Sequence, residues 1–459
     1  MAQAPVATSI AQEFAEKFAG SRVLHERARK VIPGGIMHDG RHLKPFPPMI
    51  VRAQGPYKWD ADGNQLIDFV MGHGSLLFGH SDPEILAAMQ AQLPLGTHLG
   101  AGHELEVEWA EEVSRLMPSA ELVKFTGSGT ESTLLAIRVA RSATQRPTIV
   151  KLEGHFHGWN DYLLKAEKAP FDQVASPGIP MEVMDTISVV PNNDLAALEA
   201  RLAQGDVAAL ILEPSGGSWA TIPFIEGYLQ AARDLTTKYG VLLIFDEVIT
   251  GFRWSPGGAQ VRFGITPDIT TMAKIVAGGM PGGAVGGKRD VMDVLIFRDE
   301  PGWNSQRKVR HQGTYNASPV VSAAGATCLR KAADPAVQRY CDDLAVQLRV
   351  GLNSALVERN LPGYAWGESS VFHLKLGESV PNQTGGDMRS PEGVSAADLK
   401  NSGHGKLNDL AHLGMMIEGV EFFHSGGMTS TAHTPALIDE TVAAFGRVLD
   451  RMVDEGAWG

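Results

Sequence analysis

Short, mainly apolar runs alternate with stretches of helical periodicity from about Leu122 onward, and they constrain this chain's fold more than any other feature. The runs cover residues 122–125, 149–152, 208–212 and 241–245. Each has the mainly apolar character of a strand covered on both faces, with Lys124 and Lys151 interrupting the first two. The alternation predicts a mostly parallel sheet with crossover helices, an α/β fold. Polar residues and glycines come directly after each run: Thr126-Gly127-Ser128-Gly129-Thr130, Glu153-Gly154-His155, Glu213-Pro214 and Asp246-Glu247. Ligands of open α/β sheets bind beyond the carboxyl ends of the strands, so the site is expected there.

The 459 residues exceed one small domain and suit a large domain with a smaller partner. Ahead of the sheet, residues 11–31 read as one helix carrying Phe14, Phe18, Val23 and Leu24, ended by Pro33-Gly34-Gly35. Residues 56–60 and 63–69 read as a hairpin around Ala61-Asp62-Gly63. Past about Leu329 the pattern is mixed, with helices near 335–353 and 437–455. Residues 378–404, rich in Gly, Ser, Asn and Pro, read as a surface loop. The expected division is an N-terminal segment 1–65 joining the small domain, a large domain 66–330 and a C-terminal small domain 331–459.

Charge and cysteine usage exclude several functions. Lys and Arg number 40 against 52 Asp and Glu, and no basic run occurs, which argues against nucleic acid as a partner. The only cysteines, Cys328 and Cys341, make a disulfide framework or thiolate metal site improbable and suit a reducing cytoplasm. The first residues lack a basic region followed by an apolar run, and no apolar stretch is long enough for a membrane helix. A cytoplasmic protein without a membrane partner is expected.

Three segments carry chemistry. Phe125-Thr126-Gly127-Ser128-Gly129-Thr130-Glu131 joins a strand end, a glycine turn and a helix start. That combination cradles a phosphate, although an ordinary tight turn reads equally well from this segment alone. Asp246 and Glu247 at a strand end suit a metal, a base or structural ion pairs. Lys274, set among apolar and glycine residues, is a candidate nucleophile because burial disfavours the ammonium form. A surface lysine beside a glycine turn is the plain alternative. Taken together, a phosphate cradle, a carboxylate for a pyridinium nitrogen and a lysine are the three parts pyridoxal phosphate requires. His155 and His157, two apart, also raise a metal reading, but no cysteine or acidic partner stands at a suitable spacing. No metal is expected.

On these segments the chain resembles the class III aminotransferases of pyridoxal-phosphate fold type I, in the branch of glutamate-1-semialdehyde aminomutase and D-phenylglycine aminotransferase. The resemblance runs from about Ala28 to the C-terminus and includes residues 125–131, 153–158, 246–253, the Lys274 segment and His311-Gln312-Gly313-Thr314. It implies a seven-stranded, mostly parallel sheet flanked by helices, plus a smaller α+β domain from the two ends of the chain. It also implies pyridoxal 5'-phosphate as cofactor, bound to Lys274 as a Schiff base, with Asp246 on its ring nitrogen. Ser128, Gly129 and Thr130 would hold its phosphate, with Gly313 and Thr314 reaching it from the neighbouring subunit of a homodimer with shared active sites. Phe156 and Val248 would face the two sides of the ring, with His157 and Glu213 beside them. Arg41 matches the position of the substrate-carboxylate arginine of this branch, and a solvated loop arginine is its plain alternative.

Two segments depart from the aminomutase pattern, which has Asn where Ser218 stands and Glu where Ser425 stands. The aminomutase also stacks a Tyr where this chain has Phe156. These positions are expected to touch substrate or ring, so the resemblance implies retained cofactor and altered substrate. Arg253 is expected to serve structurally in an ion pair or in the family motif, and Trp219 and Tyr315 line a substrate pocket or pack in core or interface. The expected activity is amino transfer between an amino acid, aromatic or non-standard, and a 2-oxo acid by a ping-pong route. Intramolecular aminomutase chemistry is the first alternative, and a lyase or racemase the second.

Overall fold

The computed structural model describes residues 9–173, 176–403 and 405–458. A seven-stranded sheet forms its centre, in the order Leu122–Thr126, Gly283–Gly287, Ile269–Ala273, Leu242–Asp246, Val207–Leu212, Thr148–Leu152, Ile187–Val190. Gly283–Gly287 runs antiparallel to both neighbours, and the remaining pairings are parallel. Four of the strands are the apolar runs of the sequence. Val207–Leu212 and Thr148–Leu152 are buried at every residue, as strands covered on both faces must be.

The first run departs from that expectation. Leu122–Thr126 is an edge strand and exposes Lys124, so one of its faces is open. Its partner Gly283–Gly287 carries no apolar signature because three of its five residues are glycine. A Cβ on Gly286 would meet the Cβ of Ala120 at 2.6 Å, so close backbone approach, not strand propensity, selects the residue there.

The helix expected over 11–31 is two helices, Ile10–Lys17 and Ala19–Ala28, broken at Phe18, whose backbone leaves the helical region. Ser9 and Gln12 close a capping box at the start of the first. The break buries Phe14 and Phe18 while leaving Val23 and Leu24 at the surface. Phe14 and Phe18 join Leu66, Leu348, Leu352, Phe445 and Leu449 in one core, so residues from both ends of the chain pack together. The hairpin forms as Tyr57–Asp60 against Gln65–Asp68, flanked by Ile50–Gln54 and, in parallel, by Val420–Glu421. The two C-terminal helices are Pro335–Glu358 and Pro435–Asp454.

The segment 378–404 is not simply a surface loop, and His404 lies outside the described residues. It contains the helix Ala396–Lys400, and Val380, Met388 and Leu399 are buried against Ile222, Tyr364 and Trp366. Its polar composition conceals those anchors. Among the described residues no helix is long and apolar enough to cross a membrane.

Candidate active site

Parallel pairing of Leu242–Asp246 with Ile269–Ala273 sets Asp246 opposite Thr271, so Asp246 and Lys274 emerge at the same edge of the sheet. Lys274 is the first residue after its strand and adopts φ 60°, a left-handed conformation that a lysine takes at a cost. Burial lowers its pKa, while Asp246 and Glu213 pull the other way. The amine therefore sheds its proton more readily than a surface lysine does.

Asp246 is buried and held from three sides. The Val248 N–H and the Thr271 hydroxyl donate to Oδ1 at 3.1 and 3.3 Å, and His157 Nδ1 lies 2.7 Å from Oδ2. Burial pushes the carboxyl up to about 7 and holds His157 well below the usual imidazole range, so the ring is neutral. A neutral His157 donates its Nδ1 hydrogen to the carboxylate, and its buried Nε2 has no partner among the described residues. A cationic group placed against Asp246 would restore the carboxylate.

The glycine turn is the start of the helix Gly129–Thr144, with Ser128 as its cap, accepting from the Glu131 N–H. A Cβ on Gly129 would lie 3.1 Å from the Val248 methyls and 3.3 Å from Ala273, which puts the helix start directly beside the Lys274 strand end. A Cβ on Gly158 would lie 2.5 Å from Thr130 Oγ1, and Thr133 Oγ1 donates to His157 O at 2.7 Å. The segment 153–158 is thereby fastened along the same helix.

Histidines 155 and 157 do not face one side, because their segment is a loop, not a strand. His155 Nδ1 accepts from the Glu213 N–H at 3.0 Å, whereas His157 faces Asp246. Glu213 in turn gathers three backbone N–H groups, from Phe156, Ser218 and Trp219, each at 2.8 Å. Burial and the Asp246 charge push Glu213 up to about 7. Phe156 itself is 47% exposed.

Glu247 is not a second site carboxylate. It accepts from Thr250 Oγ1 and from the Ala259 and Gln260 N–H groups, fixing the helix Gly258–Phe263. Arg253 makes no ion pair among the described residues. Fully buried, it donates to Ser370 Oγ, Thr429 O and Gly74 O, each at 3.0 Å, and so ties three distant segments together. Ser425 is likewise withdrawn from the site: it is buried between Asn408 and Gly403 O. Ser218 Oγ faces Gly154 O and Lys400. Those two serines make protein contacts, contrary to the expectation that they touch substrate or ring.

A line of rings borders the opening. His38 and His73 are 4.7 Å apart, His73 and Phe423 4.9 Å, Phe423 and Trp219 6.0 Å, and Trp219 and His373 4.4 Å between centroids. Arg41 stands exposed on the short turn Asp39–Arg41 beside them. Burial, His38, Lys274 and Arg41 together depress His73 to about 3, so Arg41 and Lys274 act on the same ring. Gly313, Thr314 and Tyr315 are instead exposed on the outer surface, where His98 bonds Thr314 O at 2.6 Å. The fold thus brings together Lys274, Asp246, His157, Val248, Gly129, Glu213 and Phe156, with Arg41 at the opening. Within one chain it leaves Gly313 and Thr314 on the outside. Thr271, whose hydroxyl holds Asp246, and Lys400 carry no motif that sequence reading could use.

Among known proteins, the family model for class III aminotransferases matches residues 39–363. A glutamate-1-semialdehyde 2,1-aminomutase from Methanothrix thermoacetophila is 35% identical over 432 residues, covering 93% of this chain and 95% of the relative. An omega-transaminase from Sphaerobacter thermophilus superposes with a TM-score of 0.82 at 34% identity, covering 94% of this chain and 97% of that one. A β-phenylalanine aminotransferase from Variovorax paradoxus gives 0.83 at 29% identity, covering 97% of each chain.

Proposed function

The chain belongs to the class III aminotransferases, pyridoxal-phosphate enzymes of fold type I, and from that premise we propose that it moves an amino group between an amino acid and a 2-oxo acid. The observation that carries the reading is the meeting of Lys274, Asp246 and the Gly129 helix start at adjacent strand ends.

The residues present fit pyridoxal phosphate. A Cβ on Gly129 would crowd the Val248 methyls and Ala273, so glycine suits the close approach of an anion to the backbone N–H groups at the helix start. Ser128 and Thr130 hydroxyls already accept N–H groups from Glu131 and Trp159, which leaves their own hydrogens to donate. These residues would hold the phosphate. Asp246 would hold the ring nitrogen, with His157 fixing the carboxylate's orientation through Oδ2. Phe156 and Val248 would bound the ring faces, and Glu213 keeps Phe156 in place through its backbone N–H. When bound there, the cofactor supplies a ring that withdraws electrons from the donor's α-carbon. Lys274 Nζ would carry the protons, taking the α-proton and later returning one, and burial eases the loss of its own proton. Arg41 at the opening would receive the donor's carboxylate bidentately. The ring line His73–Phe423–Trp219 favours a donor with an aromatic side chain.

The test is a donor panel on purified enzyme with the cofactor spectrum followed. Conversion of the cofactor to its amine form by one donor, and reversal by 2-oxoglutarate, supports amino transfer. The 35% identical aminomutase makes intramolecular transfer the second reading. Product formed with no acceptor added, and no net conversion of the cofactor, would replace our proposal with it.

We further propose a homodimer with shared sites, in the cytoplasm. Leu95, Leu99 and Tyr315 form exposed apolar surface near Thr314, where a second copy would bury them. Both cysteines are free and buried, as a reducing compartment allows. Thr314→Ala should weaken cofactor retention by about 1 kcal/mol, one neutral hydrogen bond. Dialysis of the holoenzyme with absorbance readout checks this, and unchanged retention contradicts the shared site.

A further inference from the structure

Three consecutive non-glycine residues, Ser218, Trp219 and Ala220, sit at φ 50°, 53° and 70°. A left-handed conformation is unfavourable for each of them, so the turn persists only where its surroundings fix it. Glu213 supplies part of that fixing, through the Ser218 and Trp219 N–H groups. Thr221 Oγ1 adds a bond to Ser218 O at 2.6 Å. The rest comes from far along the chain. Lys400, on the short helix of the 378–403 excursion, donates to Ser218 Oγ and to Gly154 O at 3.0 Å, and pairs with Glu167 at 2.9 Å.

The placement of these partners is what matters. Gly154 opens the segment that carries Phe156, and Ser218 immediately precedes Trp219, whose ring faces Phe423 and His373. One part-buried ammonium therefore touches both segments that bear an aromatic wall of the candidate site. A second lysine, Lys151, is spent on carbonyls: His155 O, Leu163 O and Lys165 O accept from it at 3.1, 2.9 and 2.6 Å. It leaves Lys400 as the cation that reaches the Ser218 turn. The helix bearing Lys400 is anchored in turn by Leu399, buried with Ile222, Tyr364 and Trp366. The excursion is thus packed against the turn that it grips.

We infer that Lys400 is a positioning residue, by which the 378–403 excursion locks the strained 218–220 turn and so sets where Trp219 stands in the donor pocket. The residue touches neither cofactor nor donor; it acts through Ser218 and Gly154. The excursion is in consequence a determinant of donor choice, since any change that moves Lys400 moves an aromatic wall. The pocket's identity as a donor site rests on the amino-transfer reading, whereas the lock on the turn does not.

The experiment compares wild-type holoenzyme with Lys400→Met, Lys400→Arg and Ser218→Ala by hydrogen exchange over residues 216–222, and by calorimetric titration with benzoate, an inert aryl carboxylate. Amides 217–222 are all bonded within this turn or to Glu213, so exchange there is slow in the wild type. Lys400→Met should speed it about tenfold, the effect of losing one charge-assisted hydrogen bond. Ser218→Ala removes the contact while leaving the Lys400–Glu167 pair, and should speed exchange in the same direction even if Lys400→Met folds poorly. Benzoate affinity should fall several-fold in both, and Lys400→Arg should restore both readouts. Unchanged exchange at 216–222 in both Lys400→Met and Ser218→Ala overturns the inference whatever benzoate does. Faster exchange with unaltered benzoate affinity overturns the claim on donor choice. Wild-type enzyme that does not bind benzoate counts against the aryl-carboxylate donor, and the lock is then decided by exchange alone.

Discussion

Lys274→Ala should lower turnover by more than about a thousandfold, the range expected when a positioned general acid–base is lost. The expectation comes from placement. Lys274 stands one residue beyond its strand, in a backbone conformation that a lysine does not adopt freely, at the same sheet edge as Asp246. Burial disfavours its ammonium, so it gives up its proton more readily than a surface lysine does. In our reading, removing it takes away the covalent hold on the cofactor and the proton carrier together. The variant should still fold, because the shortened side chain lines an open site. Steady-state rates and the cofactor's long-wavelength absorbance check it. A small added amine should recover part of the rate, which a merely misfolded variant would not show. Turnover within tenfold of wild type contradicts the role.

Asp246→Asn is the second large effect. Asparagine keeps the size of the side chain and can still accept from His157, but it carries no charge. Burial pushes the wild-type carboxyl up to about 7, so a cationic partner would favour its charged form. The ring nitrogen of the cofactor is that partner in our reading. Without the charge the nitrogen loses its proton and the ring loses its pull on the donor's electrons. The expected loss is in kcat, on the order of 10²–10³, comparable to removing one preorganised electrostatic contact. Cofactor retention should change less, because Ser128, Gly129 and Thr130 are untouched. Rapid-quench or steady-state kinetics with saturating cofactor separates the two. An Asn variant with wild-type kcat would show that Asp246 does not govern the ring.

The centre of this fold is legible in the sequence because the buried strands are mainly apolar on both faces. The runs at 149–152, 208–212 and 241–245 announce strands, and the residues after them announce the site. Gly283–Gly287 is not legible, since its identity is fixed by what presses against it: Ala120, Thr126 and Ser132. The break at Phe18 is hidden for a related reason. Phe14 and Phe18 keep helical spacing, and the break is set by packing against the C-terminal half of the chain.

Site residues divide along the same line. Lys274, Asp246 and the Ser128–Thr130 turn are legible because strand ends and glycine turns are local signals. Arg253 suggests a partner for a carboxylate, yet its acceptors are two backbone carbonyls and a serine from residues 74, 370 and 429. Ser425 suggests a substrate-facing hydroxyl, yet Asn408 and Gly403 enclose it. Lys400 is invisible in the sequence, one of two cations with Arg389 in a polar excursion, and it gains its meaning only from the turn 182 residues away that it holds. Contacts of that length have no sequence periodicity to betray them.

The central claim is that Lys274 is the lysine that holds the cofactor. Borohydride treatment of the holoenzyme, followed by peptide mass spectrometry, tests it directly, because reduction fixes a lysine-bound cofactor in place. The account predicts the pyridoxyl mass on the peptide containing Lys274 and on no other. Labelling at Lys151, Lys400 or any other lysine, with Lys274 unmodified, would contradict it.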